Sequence, residues 1–310
     1  MGKNRLLIPA LIAIQVLFGI NFVTAKIVVG ALPPLLWASL RIILASVFMV
    51  GACLALKRKH PEGGLRFFLP LIPFALLGAV INQGALLLGL HYTTATNSSV
   101  ISTLIPIFTL IIVTLRGQEQ FTARRGVGFT LALAGVLILR KIEQLTLSDQ
   151  TVLGDALVIV SCLSTALFFS YGKKFSQSHD RLWTTAWMFI YGSIGLTLLA
   201  LPDYSHFLYT SQGPALTPTL LGCMVFTVLG GTLLTYFLTV WTLAQAPPSS
   251  VAIFTYVQPV VTAALAWAWL DQPPTARTLF SSLLIFAGLL VALSKRAPEI
   301  RPLPAARETA

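Results

Sequence analysis

The sequence predicts an all-α integral membrane protein: ten transmembrane helices arranged as two inverted five-helix repeats around a central cavity. Three observations carry that prediction. Hydrophobic residues make up 56% of the 310-residue chain and charged residues only 10%, against roughly 25% charged in a soluble globular protein; mean hydropathy is +0.83. The apolar residues fall into ten runs, each near the roughly 20 residues needed to cross a hydrocarbon core of about 30 Å. Finally, the stretch from Ser98 to Gly135 is written a second time from Ser249 to Gly288.

The ten runs cover residues 6–29, 34–56, 67–90, 95–115, 121–139, 152–172, 183–201, 218–240, 250–270 and 276–294. Their connections are short and carry chain breakers: Pro33-Pro34, Pro61-Glu62-Gly63-Gly64, Pro247-Pro248 and Pro273-Pro274. No soluble domain fits between them. The first run follows Lys3 and Arg5 in the manner of a secretory signal, but no small-residue cleavage site ends it, so it reads as a retained first helix. A myristoylation start fails because Leu6 stands where Ser or Thr is required. Residues 297–310, rich in Pro, Ala and charge, are expected to form a disordered cytoplasmic tail.

Charge sets the orientation. The net charge of +11 does not point to nucleic acid, because the basic residues sit in short clusters between apolar runs. With the N-terminus inside, sixteen Lys and Arg residues fall on the cytoplasmic side and only Arg140, Lys141 and Arg277 on the outer side. This positive-inside bias places both termini in the cytoplasm; the membrane expected is a bacterial inner membrane.

The repeat is specific in its order. Ser98-Ser99-Val100 returns as Ser249-Ser250-Val251, Pro106 as Pro259, Glu119 as Asp271, Arg124 as Arg277, and Ala134-Gly135 as Ala287-Gly288, with spacing that drifts only from 151 to 153. The chain therefore divides into a first repeat, residues 1–145, and a second, residues 146–296. Five helices per repeat is an odd number, so the second copy enters the membrane from the opposite face. Inverted halves give a route to alternating access around a site near the midplane.

In that order and doubling, Gly19 to Lys26, Leu35 to Arg41, Tyr92-Thr93, Ser98-Ser99, Pro106, Glu119 and Ala134-Gly135 with their second copy resemble the drug/metabolite transporter superfamily, and within it proteins built from two EamA repeats. The likeness extends to about Ser294 and is nearest to exporters of amino acids and related metabolites, such as the YddG-like aromatic amino-acid exporters. It implies a ten-helix bundle whose cavity is lined mainly by helices 1, 3, 4, 6, 8 and 9. The small multidrug members of the superfamily depend on a Glu in the first helix; this chain has none there.

A transport site in such a bundle needs a few polar groups held in an apolar cavity. The candidates are Asn21 in helix 1, Asn82 and Gln83 in helix 3, Ser99 and Thr103 in helix 4, Ser164, Phe168 and Tyr171 in helix 6, Tyr236 in helix 8, and Tyr256 and Gln258 in helix 9. Asn21, Gln83 and Gln258 stand out because buried amides demand partners. The competing reading is that these groups bridge packed helices. Arg41 and Lys26 are the basic residues well inside spans. Either pairs with a substrate carboxylate, or it snorkels to the interface or binds helix-end carbonyls; for Lys26 the structural alternative is favoured. Pro106 and Pro259 act as symmetric hinges or as static kinks.

All ten acidic residues lie in loops, tails or helix ends, so no buried carboxylate offers itself as a proton relay. That favours flux or exchange driven by a substrate gradient, although backbone carbonyls at a broken helix can also bind a coupling cation. Cys53, Cys162 and Cys223 form no CxxC pair and have no His at ligand spacing, which supports neither a disulfide nor a metal site; no cofactor is expected. Neither HExxH nor GxSxG occurs, which argues against an intramembrane enzyme. The expected function is export of small amphipathic metabolites, foremost amino acids, by alternating access. The alternatives are a nucleotide-sugar or organic-anion exchanger, a drug exporter, and a channel. The expected partners are a small-molecule substrate and the lipid bilayer, and a monomer is the simplest functional unit.

Overall fold

The structure is a computed structural model that describes residues 6–61, 65–93, 98–99, 101–139, 149–178, 180–210, 215–261, 264 and 276–293. The boundary expected at residue 145, the acidic residue Asp271 and the tail 297–310 lie outside the described residues. Regular structure among those described is helical throughout. We label the helices α1 (Leu7–Ala31), α2 (Pro34–Ala55), α3 (Leu71–Tyr92), α4 (Leu104–Leu115), α5 (Ala123–Leu139), α6 (Asp149–Ser178), α7 (Arg181–Thr210), α8 (Pro218–Leu243), α9 (Pro248–Ala252, continued by a 3-10 turn over Ile253–Tyr256) and α10 (Ala276–Leu293). Six of them, α1, α2, α3, α6, α7 and α8, contain segments long and apolar enough to cross a bilayer.

Two helices are locally underwound into wider turns. Leu76–Ile81 of α3 and Leu229–Leu234 of α8 are π-helical, a geometry that displaces carbonyls from the regular ladder and gathers at functional sites. The two segments stand 153 residues apart, the spacing of the sequence repeat. Each holds a glycine against a neighbouring helix. A Cβ at Gly78 would sit 2.6 Å from the Phe168 ring, and one at Gly231 would sit 2.1 Å from Asn21 Oδ1. Asn21 and Phe168 are themselves 147 residues apart, as are Lys26 and Lys173 near the ends of the same two helices. Corresponding side chains thus fill corresponding notches.

The two prolines break their helices in the same way. A proline cannot donate to the carbonyl four residues earlier and its ring crowds that carbonyl. Four residues before Pro106 is Ser102, where the helix is interrupted by a turn and Ser102 O accepts instead from Ile105 N at 3.1 Å. Four residues before Pro259 is Thr255, inside the 3-10 turn of α9.

Close packing of α5 on α10 is made by small residues. A Cβ on Gly128 would meet Gly288 O at 2.7 Å, and one on Gly135 would meet Ser281 O at 2.9 Å. Ser281 and Gly288 lie 153 residues after Gly128 and Gly135, so each helix touches its partner through equivalent positions, as in an isologous interface.

Polar groups close the ends of the bundle. Lys26 Nζ donates to the carbonyls of Leu90 (2.6 Å), His91 (3.2 Å) and Thr93 (2.7 Å) at the C-terminus of α3, where four carbonyls lack helical partners and the dipole favours a cation. This is the helix-end role expected of Lys26. The loop before α5 carries Glu119, which accepts from Arg125 Nη1 (2.8 Å), from Ser249 N (3.1 Å) and from Ser249 Oγ. One carboxylate thereby caps the N-terminus of α9 from the other half of the chain.

Glycine substitutions separate contact from propensity. Gly288→Ala places a methyl 2.6 Å from Ala132 N and Gly128 O and should destabilise the fold by about 1–3 kcal/mol through overpacking. Gly222→Ala, with nothing within 4 Å of its Cβ, should leave the melting temperature unchanged or raise it. Thermal melting of the two variants in detergent checks both outcomes.

Candidate functional site

The π turn of α3, the proline-broken starts of α4 and α9, and the middles of α1, α6 and α8 surround one cavity. It encloses about 730 Å³ of space between atoms, counting its open mouth. Gln15, Phe18 and Phe22 of α1 line it, with Gly78, Asn82 and Gln83 of α3. The lining residues of α1, α3 and α6 lie well inside their spans.

One wall is a continuous polar chain. Gln83 Nε2 donates to Asn82 Oδ1 (2.8 Å) and to the Tyr236 hydroxyl. That hydroxyl has one proton to share between Gly78 O (2.6 Å) and Asn82 Oδ1 (2.8 Å). Asn82 Nδ2 continues to Ser161 Oγ (3.0 Å) and Thr165 Oγ1 (2.5 Å) on α6. Tyr236 can reach Gly78 O because the π turn displaces carbonyls from their helical partners; the neighbouring Leu77 O takes a second side-chain donor, Ser164 Oγ, at 2.7 Å. The facing wall carries a bridge from Gln258 Nε2 to Gln15 Oε1 at 2.7 Å, between residues 243 positions apart.

The remaining surface is apolar and aromatic. Phe168 stacks on Phe74 with centroids 4.4 Å apart and planes at 23°, and Phe169, Phe18, Phe22, Ile14, Ile105 and Val251 complete the lining. Gln83 Oε1 is buried with no hydrogen-bond partner among the described residues. The cavity thus offers aromatic faces, a fixed hydroxyl and amide belt, and an acceptor held in reserve. Among the described residues no group of three His, Cys, Asp or Glu could hold a metal.

Five residues singled out from sequence are brought together here: Asn82, Gln83, Phe168, Tyr236 and Gln258 all line the cavity. The others are placed elsewhere. Asn21 packs its amide on Gly231. Ser99 and Thr103 are buried off the cavity while Ser102 between them lines it. Ser164 serves Leu77 O. Tyr171 is 52% exposed, its ring 3.6 Å below the Arg116 guanidinium. Tyr256 is fully buried and its hydroxyl has no partner among the described residues. Arg41 is also fully buried and does not line the cavity. Pro106 and Pro259 act on the lining through Ser102 and Thr255, both of which border it.

Sequence reasoning missed Gln15, Ser161, Thr165 and Thr255. Gln15 carried the same signal as Asn21, an amide in the first apolar run. Ser161 and Thr165 lie four apart and, with Phe168 and Phe169, mark the inner face of α6.

Removing the Tyr236 hydroxyl should expose its importance to the wall. Tyr236→Phe leaves Gln83 and Gly78 without their partner and should cost about 1–3 kcal/mol of stability. Tyr256→Phe removes a hydroxyl that bonds to nothing described and should cost nothing. Equal losses in the two variants, measured by thermal melting, would contradict the network.

Comparison with known proteins gives a consistent result. The profile of the EamA-like transporter family matches residues 6–141 and again residues 152–294. An uncharacterized transporter of Archaeoglobus fulgidus is 30% identical over 287 residues, covering 92% of this chain and 98% of the relative. The uncharacterized transporter YoaV of Bacillus subtilis is 23% identical over 283 residues, covering 91% and 94%. A solved crystal structure superimposes with a TM-score of 0.72 at 14% identity over 93% of this chain and 95% of its own; that likeness concerns the fold alone.

Proposed function

The chain belongs to the EamA-like transporter family, and from that premise we propose that it is a secondary transporter exporting small amphipathic metabolites, foremost amino acids, by alternating access. The observation that carries the reading is the cavity: aromatic walls around a hydrogen-bonded amide and hydroxyl belt, with Gln83 Oε1 left as an acceptor for a substrate ammonium. Phe168 and its neighbours suit an aromatic or aliphatic side chain. In this reading Asn82, Gln83 and Tyr236 orient the substrate, and Gln258 with Gln15 faces them from the other wall.

Alternation is supported by recurrence. The π turns and proline breaks repeat at the spacing of the sequence duplication, so residues 1–145 and 146–296 are read as inverted five-helix halves that exchange roles. Pro106 and Pro259 then localise bending beside Ser102 and Thr255, at the cavity itself. The Glu119 to Ser249 contact is the clasp that joins the halves at the cytoplasmic end. Both termini lie in the cytoplasm of a bacterial inner membrane, and a monomer suffices to enclose the path. The fully buried Arg41 favours exchange of an organic anion as the second reading.

Proteoliposomes preloaded in turn with labelled phenylalanine, threonine, a nucleotide sugar and a quaternary ammonium dye, without an ion gradient, test the proposal. Saturable amino-acid movement, faster with unlabelled amino acid on the other side, is expected. Gln83→Ala and Gln258→Ala should each lower that flux about tenfold or more at equal incorporation, the loss of a hydrogen bond to a charged group. Non-saturating movement, preference for the nucleotide sugar, or normal flux in both variants would overturn it.

A further inference from the structure

The face of α2 turned into the protein holds an arrangement that the cavity does not explain. Trp37 and Arg41 lie one helical turn apart, at 1% and 0% exposure, and both are among the largest fully buried side chains. Trp37 Nε1 and all three guanidinium nitrogens of Arg41 have no hydrogen-bond acceptor among the described residues. An indole N–H and a guanidinium are donors only, so the pair presents hydrogen-bond donors and positive charge with no acceptor among the described residues.

Such a group is costly where it stands. Arg41 is roughly 10 Å along α2 from Pro34 at 1.5 Å per residue, too deep for a simple interfacial role. A buried unpaired charge destabilises a fold far more than a paired one, and the guanidinium stays charged at any physiological pH. The acidic residues within the long apolar spans, Asp155 and Asp203, lie near span ends and are half-buried, and Asp155 accepts from Thr93 Oγ1 at 2.6 Å. The α2 backbone at Arg41 runs beside the π turn of α3: a Cβ on Gly192 would meet both Ile42, the residue after Arg41, at 3.5 Å and Ala79 at 2.6 Å, and Ala79 follows Gly78, whose carbonyl holds the Tyr236 hydroxyl.

We propose that Trp37 and Arg41 form the carboxylate subsite of the transport path, reached from the cavity past Tyr236. The proposal rests on the amino-acid transport reading and deepens it. The guanidinium fork receives the two carboxylate oxygens side by side, the Trp37 indole adds a third donor, and the Gln83 acceptor receives the ammonium. In the proposal Tyr236, held by Gln83, Asn82 and Gly78, closes the way from the cavity to Arg41, so a substrate engages both groups only when that wall rearranges. The subsite selects free acids over their amides and esters.

Ligand-dependent melting of the full-length protein in lipid nanodiscs, with phenylacetate and its neutral counterpart phenylacetamide as probes, tests this without requiring transport. Phenylacetate should raise the melting temperature of the wild type and phenylacetamide should not. Arg41→Gln should weaken the half-saturating phenylacetate concentration about tenfold or more, Arg41→Lys should retain part of the response, and Trp37→Phe should reduce it. Without ligand, Arg41→Gln should melt no lower than the wild type, because no partner among the described residues is lost. Equal shifts by acid and amide, full retention of the response in Arg41→Gln, a large loss of unliganded stability in that variant, or a shift by chloride that phenylacetate does not compete with would each overturn the proposal. If phenylalanine is not transported yet phenylacetate binds through Arg41, the subsite stands and the amino-acid reading falls; if phenylalanine and its amide are exchanged equally, the reverse holds.

Discussion

An amide or hydroxyl buried among apolar helices must find its partner on another helix, and much of this molecule follows from that demand. Ser, Thr, Asn and Gln side chains have few routes to satisfaction inside a hydrocarbon slab, since no water waits at the lipid face. The π turn of α3 supplies one route by releasing Leu77 and Gly78 carbonyls to Ser164 and Tyr236. Tyr236 then fixes Gln83, Gln83 engages Asn82, and Asn82 ties α3 to α6 through Ser161 and Thr165. Three helices are placed by one chain of bonds, and that chain is also a wall of the cavity. Packing and site are therefore built from the same residues.

The same constraint explains where the helices are irregular. Glycine at Gly78 and Gly231 lets a neighbouring side chain press directly against each π turn, and proline at Pro106 and Pro259 moves the break to Ser102 and Thr255. Irregular backbone in a membrane protein is tolerated where protein or a cavity covers it, and Gly78, Ser102 and Thr255 all border the cavity. By contrast, α5 and α10 are regular helices that meet through small residues.

Much of this was legible in the sequence, for definite reasons. Hydropathy located α1, α2, α3, α6, α7 and α8 because apolar length is what a bilayer selects. The duplication anticipated that Pro106 and Pro259 would share a geometry. The demand of buried amides for partners picked out Asn82, Gln83 and Gln258, and applied evenly it would have included Gln15. Lys26 lay where a cation at a helix end is expected. What escaped was set by tertiary packing. A π turn has no sequence signature beyond a permissive glycine, so the Tyr236 to Gly78 bond was not foreseeable. The rotation of α6 turns Phe168 inward and Tyr171, three residues later, outward beneath Arg116, a difference that apolar periodicity in a Leu-rich helix does not encode. Nor could composition reveal that Arg41 would be wholly buried without an acceptor among the described residues.

Alternating access makes a geometric demand that flux alone does not test: the cavity must open to each face in turn. Cys162 borders the cavity and provides a native reporter once Cys53→Ser and Cys223→Ser remove the other thiols. The decisive measurement is its labelling by a membrane-impermeant maleimide, applied separately to right-side-out and inside-out vesicles. It is made before and after Glu119→Cys and Ser249→Cys are joined by a short cross-linker and any remaining free thiol at those two positions is capped. The account predicts labelling from both faces in the free protein and, after cross-linking, loss of labelling from the cytoplasmic face with labelling from the outer face retained. Unchanged labelling from both faces after cross-linking would contradict it and would describe a static pore.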